Sequence, residues 1–132
     1  MDTVLEVARD IYKSLGPGRR ETIYQTALKE ECARSHNLHL STEIVYPILF
    51  KGYPVGFGRL DLFIPHHIII ECKAVNTIGP KERAQCQAYT RDHKLPVLLI
   101  NFGMKEFTHE VIMVAPASQN MLRDSSTLGY GC

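Results

Sequence analysis

Two acids and two bases lie inside one of the most apolar stretches of the 132-residue chain, RLDLFIPHHIIIECKAV, residues 59–75. Asp61 is followed, after nine intervening residues, by the triplet Glu71-Cys72-Lys73. The stretch reads as strand, turn, strand. Residues two apart in a strand project to the same side, so Arg59 shares a face with Asp61 and Glu71 with Lys73. A hairpin about Pro65-His66-His67 brings the two pairs together, with Leu60, Leu62, Ile64, Ile70, Cys72 and Ala74 expected on the opposite face. One account of the charges is a pair of cross-strand ion pairs, Arg59 with Glu71 and Asp61 with Lys73, each contributing about 0.2–1 kcal/mol on a solvated sheet. That account weakens if the face is buried, because desolvation can then exceed the Coulomb gain. The other account is chemical. Two carboxylates are the hard oxygen ligands that Mg²⁺ takes, with water and substrate phosphate completing the octahedron, and a neighbouring lysine can hold a phosphate or orient a hydrolytic water.

The elements that must position these groups follow from periodicity. Val4, Ala8, Ile11 and Leu15 recur at helical spacing, and Gly16-Pro17-Gly18 ends that helix. A second helix runs from about Arg20 to Ser35, with Ile23, Tyr24, Ala27 and Leu28 in its stripe. From residue 42 the period becomes two, placing Ile44, Tyr46, Ile48 and Phe50 on one face. Pro47 marks that strand as an edge or a bulge. Residues 55–64 and 68–75 make the next two strands. Gly56 and Gly58 mark a bulge or a close backbone approach in the first of them. A helix starting near Pro80 runs to His93 and leads into the apolar run at 95–103, and residues 109–115 give a last strand. The order is α-α-β-β-β-α-β-β. A meander of three strands followed by a crossover helix implies a mixed sheet flanked by helices.

Composition bounds the rest. The length suits one domain, and 45% apolar with 22% charged residues is ordinary for a globular chain. A net charge of +1 argues against a long basic nucleic-acid tail but not against a local basic groove. Cys32, Cys72, Cys86 and Cys132 lack zinc-site spacing, and the N-terminus has no signal-peptide pattern. Free thiols in an intracellular, cytoplasmic or nuclear compartment are expected, with no membrane span.

The pattern Asp61, then Glu71-Cys72-Lys73, resembles the D…(D/E)xK signature of the PD-(D/E)XK nuclease superfamily, with Leu60 where the signature has proline. Gly18-Arg19-Arg20-Glu21-Thr22-Ile23-Tyr24 resembles a GxxExxY motif, Gln85 to Tyr89 the QxxxY of RecB-like nucleases, and Leu99 to Gly103 the strand that follows in the same group. In this order, from about Leu15 to Val114, the chain resembles the GxxExxY family of that superfamily. The resemblance implies a restriction-endonuclease-like α/β core in residues 1–114, and residues 115–132, which show no periodicity, are expected to form a loosely ordered tail. It implies a deoxyribonuclease that depends on Mg²⁺ or Mn²⁺. Asp61 and Glu71 would hold the metal, helped by the backbone carbonyl of Cys72, with Glu21 as an outer or second-metal carboxylate. Lys73 and Gln85 would act on the attacking water. Tyr89 and Arg59 would contact the substrate phosphate. The expected partner is DNA, with RNA not excluded and a homodimer possible. A nucleic-acid-binding or assembly protein that keeps the fold without turnover is the alternative, and a scaffold has no physical need for Asp61, Glu71, Lys73 and Gln85 together.

Overall fold

In a computed structural model that describes residues 1–115, the eight elements come in the expected order. They are α1 (Asp2–Leu15), α2 (Glu21–His36), β1 (Ser41–Phe50), β2 (Tyr53–Ile64), β3 (Ile68–Lys73), α3 (Pro80–His93), β4 (Val97–Phe102) and β5 (Phe107–Ile112). The tail expected at the C-terminus lies, beyond residue 115, outside the described residues. The strands form one sheet in the order β1-β2-β3-β4-β5, antiparallel throughout except for the parallel pair β3 and β4 that α3 connects. Every residue of β4 is buried, as a central strand covered on both faces requires.

Two layers sandwich the sheet. On one side, Val4, Val7, Ala8 and Ile11 of α1 and Tyr24, Leu28 and Cys32 of α2 pack on Leu62, Ile70, Cys72, Leu98, Ile100 and Phe102. The buried stripe of α2 is narrower than the sequence implies: Tyr24, Leu28 and Cys32 at spacings of four are buried, whereas Ile23 is exposed. On the other side, Cys86 of α3 covers Leu60, Ile69, Val97 and Leu99, with Tyr46, Phe63 and Tyr89 at the margin.

One expectation is corrected. Leu60 and Leu62 do not share a face. Leu62 packs under α1 and α2, and Leu60 packs under α3 with Phe63. Strict alternation in β2 is therefore interrupted around Asp61. Across from it in the β1–β2 register, the pairing skips Glu43, which sits at φ 55. The burial of β1 is uneven. Tyr46 is half-buried, but Ile44, Ile48 and Phe50, which the period of two sets on its face, are exposed, as are Val45, Leu49, Tyr53, Val55 and Phe57. The reason is topological. β3 pairs with β2 only over Leu62–Ile64, while β1 pairs with β2 from Phe63 back to Tyr53. Most of the β1–β2 hairpin thus extends past the sheet as a two-stranded ribbon, with a register shift between Ile48 and Leu49.

Tyr46 anchors this ribbon. It crosses Gly58, its cross-strand partner, and donates a hydrogen bond to Asp92 Oδ2 of α3 at 3.0 Å, with its ring edge-on to His93. A Cβ at position 58 would lie 2.3 Å from the Tyr46 ring, which explains a glycine in mid-strand. We predict that Gly58→Ala displaces Tyr46 and destabilises the fold by about 1–3 kcal/mol. Denaturant melts read the loss, and Gly56→Ala, where a Cβ meets nothing within 4 Å, is the matched control.

Candidate active site

The β2–β3 ladder ends at Leu62 with Ile70, so Asp61 and Glu71 lie just past its last pair, where the two strands part. Glu71 and Lys73 stay fixed from the other edge of β3, which pairs them with Leu99 and Asn101 of β4. The parting opens a cleft of about 460 Å³ lined by Glu21, Arg59, Asp61, Glu71, Lys73, Gln85 and Tyr89, together with Tyr46, Phe57 and Asp92. Every side chain singled out in the sequence as metal-binding, catalytic or substrate-binding thus reaches one cavity. Cys72 contributes no side chain to it. Its thiol is buried on the α1–α2 side and held well above the ordinary cysteine range by that burial, and then by Glu71, Glu21 and Asp61.

The charges pair within strands rather than across the hairpin. Arg59 Nε lies 2.9 Å from Asp61 Oδ1, and its Nη2 lies 2.9 Å from Glu43 Oε2. Lys73 Nζ lies 3.3 Å from Glu71 Oε2 and donates to Gln85 Oε1 at 2.8 Å. Gln85 Nε2 in turn donates to the Tyr89 hydroxyl at 3.2 Å. Glu71, Lys73, Gln85 and Tyr89 therefore form one polar chain from the sheet to the exposed edge of α3. The start of α3 is set by Pro80 in its first turn and by the Gly79 N–H donating to Glu82 Oε1 at 2.7 Å.

Glu71 is the electrostatic focus. It is only 7% exposed. Burial raises its carboxyl above the usual range, Lys73 pulls it down, and Asp61 and then Glu21 push it up again. Three carboxylates thus act on one another in the cleft, and their field reaches Tyr89, whose hydroxyl is pushed up to about 12 by burial and then by Glu71.

Glu21 reaches this cleft through the loop between α1 and α2. Gly18 sits at φ 96, a conformation that disfavours side chains although the space around it is open. The Tyr24 hydroxyl closes the loop: it donates to the Gly16 carbonyl at 2.7 Å and accepts from the Arg19 N–H at 3.2 Å, while its ring stacks on Phe102 at 4.4 Å. In the GxxExxY stretch, then, the glycine turns the chain, the tyrosine pins it and the glutamate faces the cleft.

Two polar residues of this region were not anticipated. Gln25, four residues after Glu21 and so on the same helix face, donates to Asp61 Oδ2 at 3.3 Å. Asn101 is fully buried and clamps the chain leaving β3, accepting from the Val75 N–H at 3.0 Å and donating to the Val75 carbonyl at 2.9 Å. A lone amide within the apolar run VLLINF was the available signal for the second.

Among the described residues no three His, Cys, Asp or Glu side chains stand together as a ready-made metal cage. The oxygens of Asp61 are engaged by Arg59 and Gln25, and Glu71 is engaged by Lys73. The donor set nonetheless fits a hard divalent ion, which needs one or two carboxylates and keeps its waters. A divalent cation held by Asp61 and Glu71 would offset the carboxylate repulsion that adds to the effect of burial on Glu71.

The comparisons bear on the fold and the family. The PD-(D/E)XK nuclease superfamily profile matches residues 1–114. No curated protein matches the chain. Among solved structures, the crystal structure of SSO0001 is similar in fold, with a TM-score of 0.55 at 19% sequence identity over 82% of this chain. The match spans 58% of that protein's chain. With the sequence match extending over nearly the whole described chain, this protein belongs to the PD-(D/E)XK nuclease superfamily.

Proposed function

We propose that the protein is a divalent-metal-dependent nuclease of the GxxExxY group that hydrolyses phosphodiester bonds in DNA. The observation that carries the proposal is the cleft where β2 and β3 part, into which Glu21, Asp61, Glu71, Lys73, Gln85 and Tyr89 converge from four elements. Asp61 and Glu71 would hold Mg²⁺ or Mn²⁺, with the Cys72 carbonyl as a further oxygen and Glu21 in an outer position. When bound, the ion would make a water more acidic and offset charge on the scissile phosphate. Lys73, already held by Glu71 and Gln85, directs its ammonium into the cleft, where it can orient the attacking water or bind a non-bridging oxygen. Gln85 fixes the lysine and can accept from the same water. The Tyr89 hydroxyl, kept protonated by its environment, can donate to a neighbouring phosphate. Arg59, paired with Asp61 and Glu43 at the cleft wall, would contact the substrate backbone.

Two measurements test this. Linear, circular, single-stranded and duplex DNA are incubated with Mg²⁺, Mn²⁺ or EDTA, and cleavage is expected only with metal. In parallel, Mn²⁺ should raise the melting temperature of the wild type, since an ion bound to the native state alone stabilises it by about 2.7 kcal/mol at a hundred times its dissociation constant. Asp61→Asn should remove most of that rise. A wild type that neither cleaves nor responds to Mn²⁺ would instead support a catalytically silent nucleic-acid-binding protein on the same fold.

A further inference from the structure

Phe57 is the most exposed large apolar side chain among the described residues, at 73%. It stands in the wall of the cleft that holds Asp61, Glu71 and Lys73. Neither core cluster includes it, and among the described residues it joins no aromatic pair. Its cross-strand partner is Pro47, which offers no polar contact, and Ile48 lines the same cavity. Core packing therefore does not account for an aromatic ring here. From Ile44 to Gly58 the hairpin carries no acid and a single base, Lys51 near the turn, so nothing on it repels a polyanion leaving the cleft.

We propose that Phe57 stacks on an unpaired base next to the scissile phosphate, so that the cleft prefers single-stranded or frayed ends over intact duplex. The inference rests on the nuclease reading above and adds a substrate class to it. The physical reason lies in which surface of a base is available. In a duplex the base faces are covered by their neighbours and only edges line the grooves. An unpaired base offers its π-face, which an exposed ring can cover whatever the base identity. A strand whose phosphate lies at Lys73 has its bases beside the cleft wall, and Phe57 is the aromatic there with an uncommitted face. Tyr46 is already committed to His93 and Asp92.

The test measures binding in the non-cleaving Glu71→Gln background with Mg²⁺ present. The probes are a fluorescent single strand of thymidines, the same strand with abasic residues and a closed duplex. With Phe57 intact, removing the bases should weaken binding roughly tenfold or more, the scale of one or two stacked bases. With Phe57→Ala the abasic and thymidine strands should bind alike, duplex affinity should stay within about twofold, and Phe57→Trp should restore the difference. The exposed position means that melting curves of these variants should superimpose on the parent. Equal sensitivity to base removal with and without Phe57, or no nucleic-acid binding at all, overturns the inference. So does a Phe57→Ala change that turns a dimer into a monomer in sedimentation, because the hairpin would then be a contact between copies. Wild-type cleavage of the same strands, run alongside, separates the two readings. Cleavage that ignores Phe57 sinks only the stacking, and base-dependent binding without any cleavage sinks only the nuclease.

Discussion

Glu71→Gln should remove the proposed cleavage, by on the order of a thousandfold or more, while leaving the metal-free protein at neutral pH as stable as the wild type or more so. The two halves of that result have one cause. Glu71 is buried beside Asp61 and Glu21, and burial is the largest influence on it, ahead of the lysine that partly offsets it. Its carboxyl is therefore raised in the folded state above the ordinary 4.5. A group raised on folding contributes stability below its unfolded value and loses that contribution as pH climbs through the folded one. In EDTA the wild type should thus lose stability as pH rises from about the ordinary glutamate value toward neutrality, and the glutamine variant should lack that component. Mn²⁺ should raise the wild-type melting temperature and leave the variant nearly unmoved. Melting curves in EDTA and in Mn²⁺ across this pH range read all three. A variant clearly less stable than wild type in EDTA at neutral pH would mean that the charge is structural, and the metal assignment would lose its physical basis.

The opposite expectation follows if the four charges of the hairpin exist to hold it together. Cross-strand pairs would then join Arg59 to Glu71 and Asp61 to Lys73. The observed contacts run along each strand instead, Arg59 with Asp61 and Lys73 with Glu71. Such pairs do nothing to hold β2 against β3, and the ladder indeed ends before it reaches them. The exposed Arg59–Asp61 pair contributes little to stability by itself. The buried end of the arrangement, at Glu71, is an electrostatic cost.

How far the fold and the site were legible in the sequence depends on what each residue's pattern encodes. Element order was legible because the helices and the buried strands differ in period, and because Gly16-Pro17-Gly18 and Pro80 punctuate the chain where α1 ends and α3 begins. The neighbourhood of Gln85 and Tyr89 on α3, and of Glu71 and Lys73 on β3, was legible because spacings of four in a helix and two in an unbroken strand set a shared face. The exposure of Ile44, Ile48 and Phe50 was not legible, because an alternating strand looks the same whether its apolar face meets a core or projects past one. Only the length of β3 decides which, and β3 is half as long as β2. The break at Asp61, which sends Leu60 and Leu62 to opposite layers, lies across from a positive φ at Glu43 in the neighbouring strand, and nothing local announces it. Gln25 and Asn101 act on partners 36 and 26 residues away, so only the assembled sheet reveals what their amides hold.

Lys73→Met should also abolish cleavage, by about a hundredfold to a thousandfold, but with the reverse effect on the metal-free protein. Methionine keeps the apolar stem of the largely buried lysine and removes the charge that lies 3.3 Å from Glu71 and 2.8 Å from Gln85. Glu71 then remains buried beside Asp61 and Glu21 without its one compensating neighbour. Removing one partner of a buried pair costs on the order of 3 kcal/mol, and at neutral pH in EDTA a loss of that order is expected. It should shrink on acidification, because Lys73 is what lowers the Glu71 carboxyl and without it the group takes up its proton at higher pH. The double variant Glu71→Gln, Lys73→Met should recover most of the lost stability, since the unpaired charge is gone. That non-additivity identifies the pair as coupled. Mn²⁺ should still raise the melting temperature of the single lysine variant, and by more than in the wild type, because Asp61 and Glu71 remain and the ion has no ammonium to compete with. Denaturant melts of the wild type, both single variants and the double variant, at acidic and neutral pH with and without Mn²⁺, give every quantity needed. A stability loss that is the same at both pH values, or that the double variant does not relieve, would place the contribution of Lys73 in packing rather than in the charge balance of the cleft.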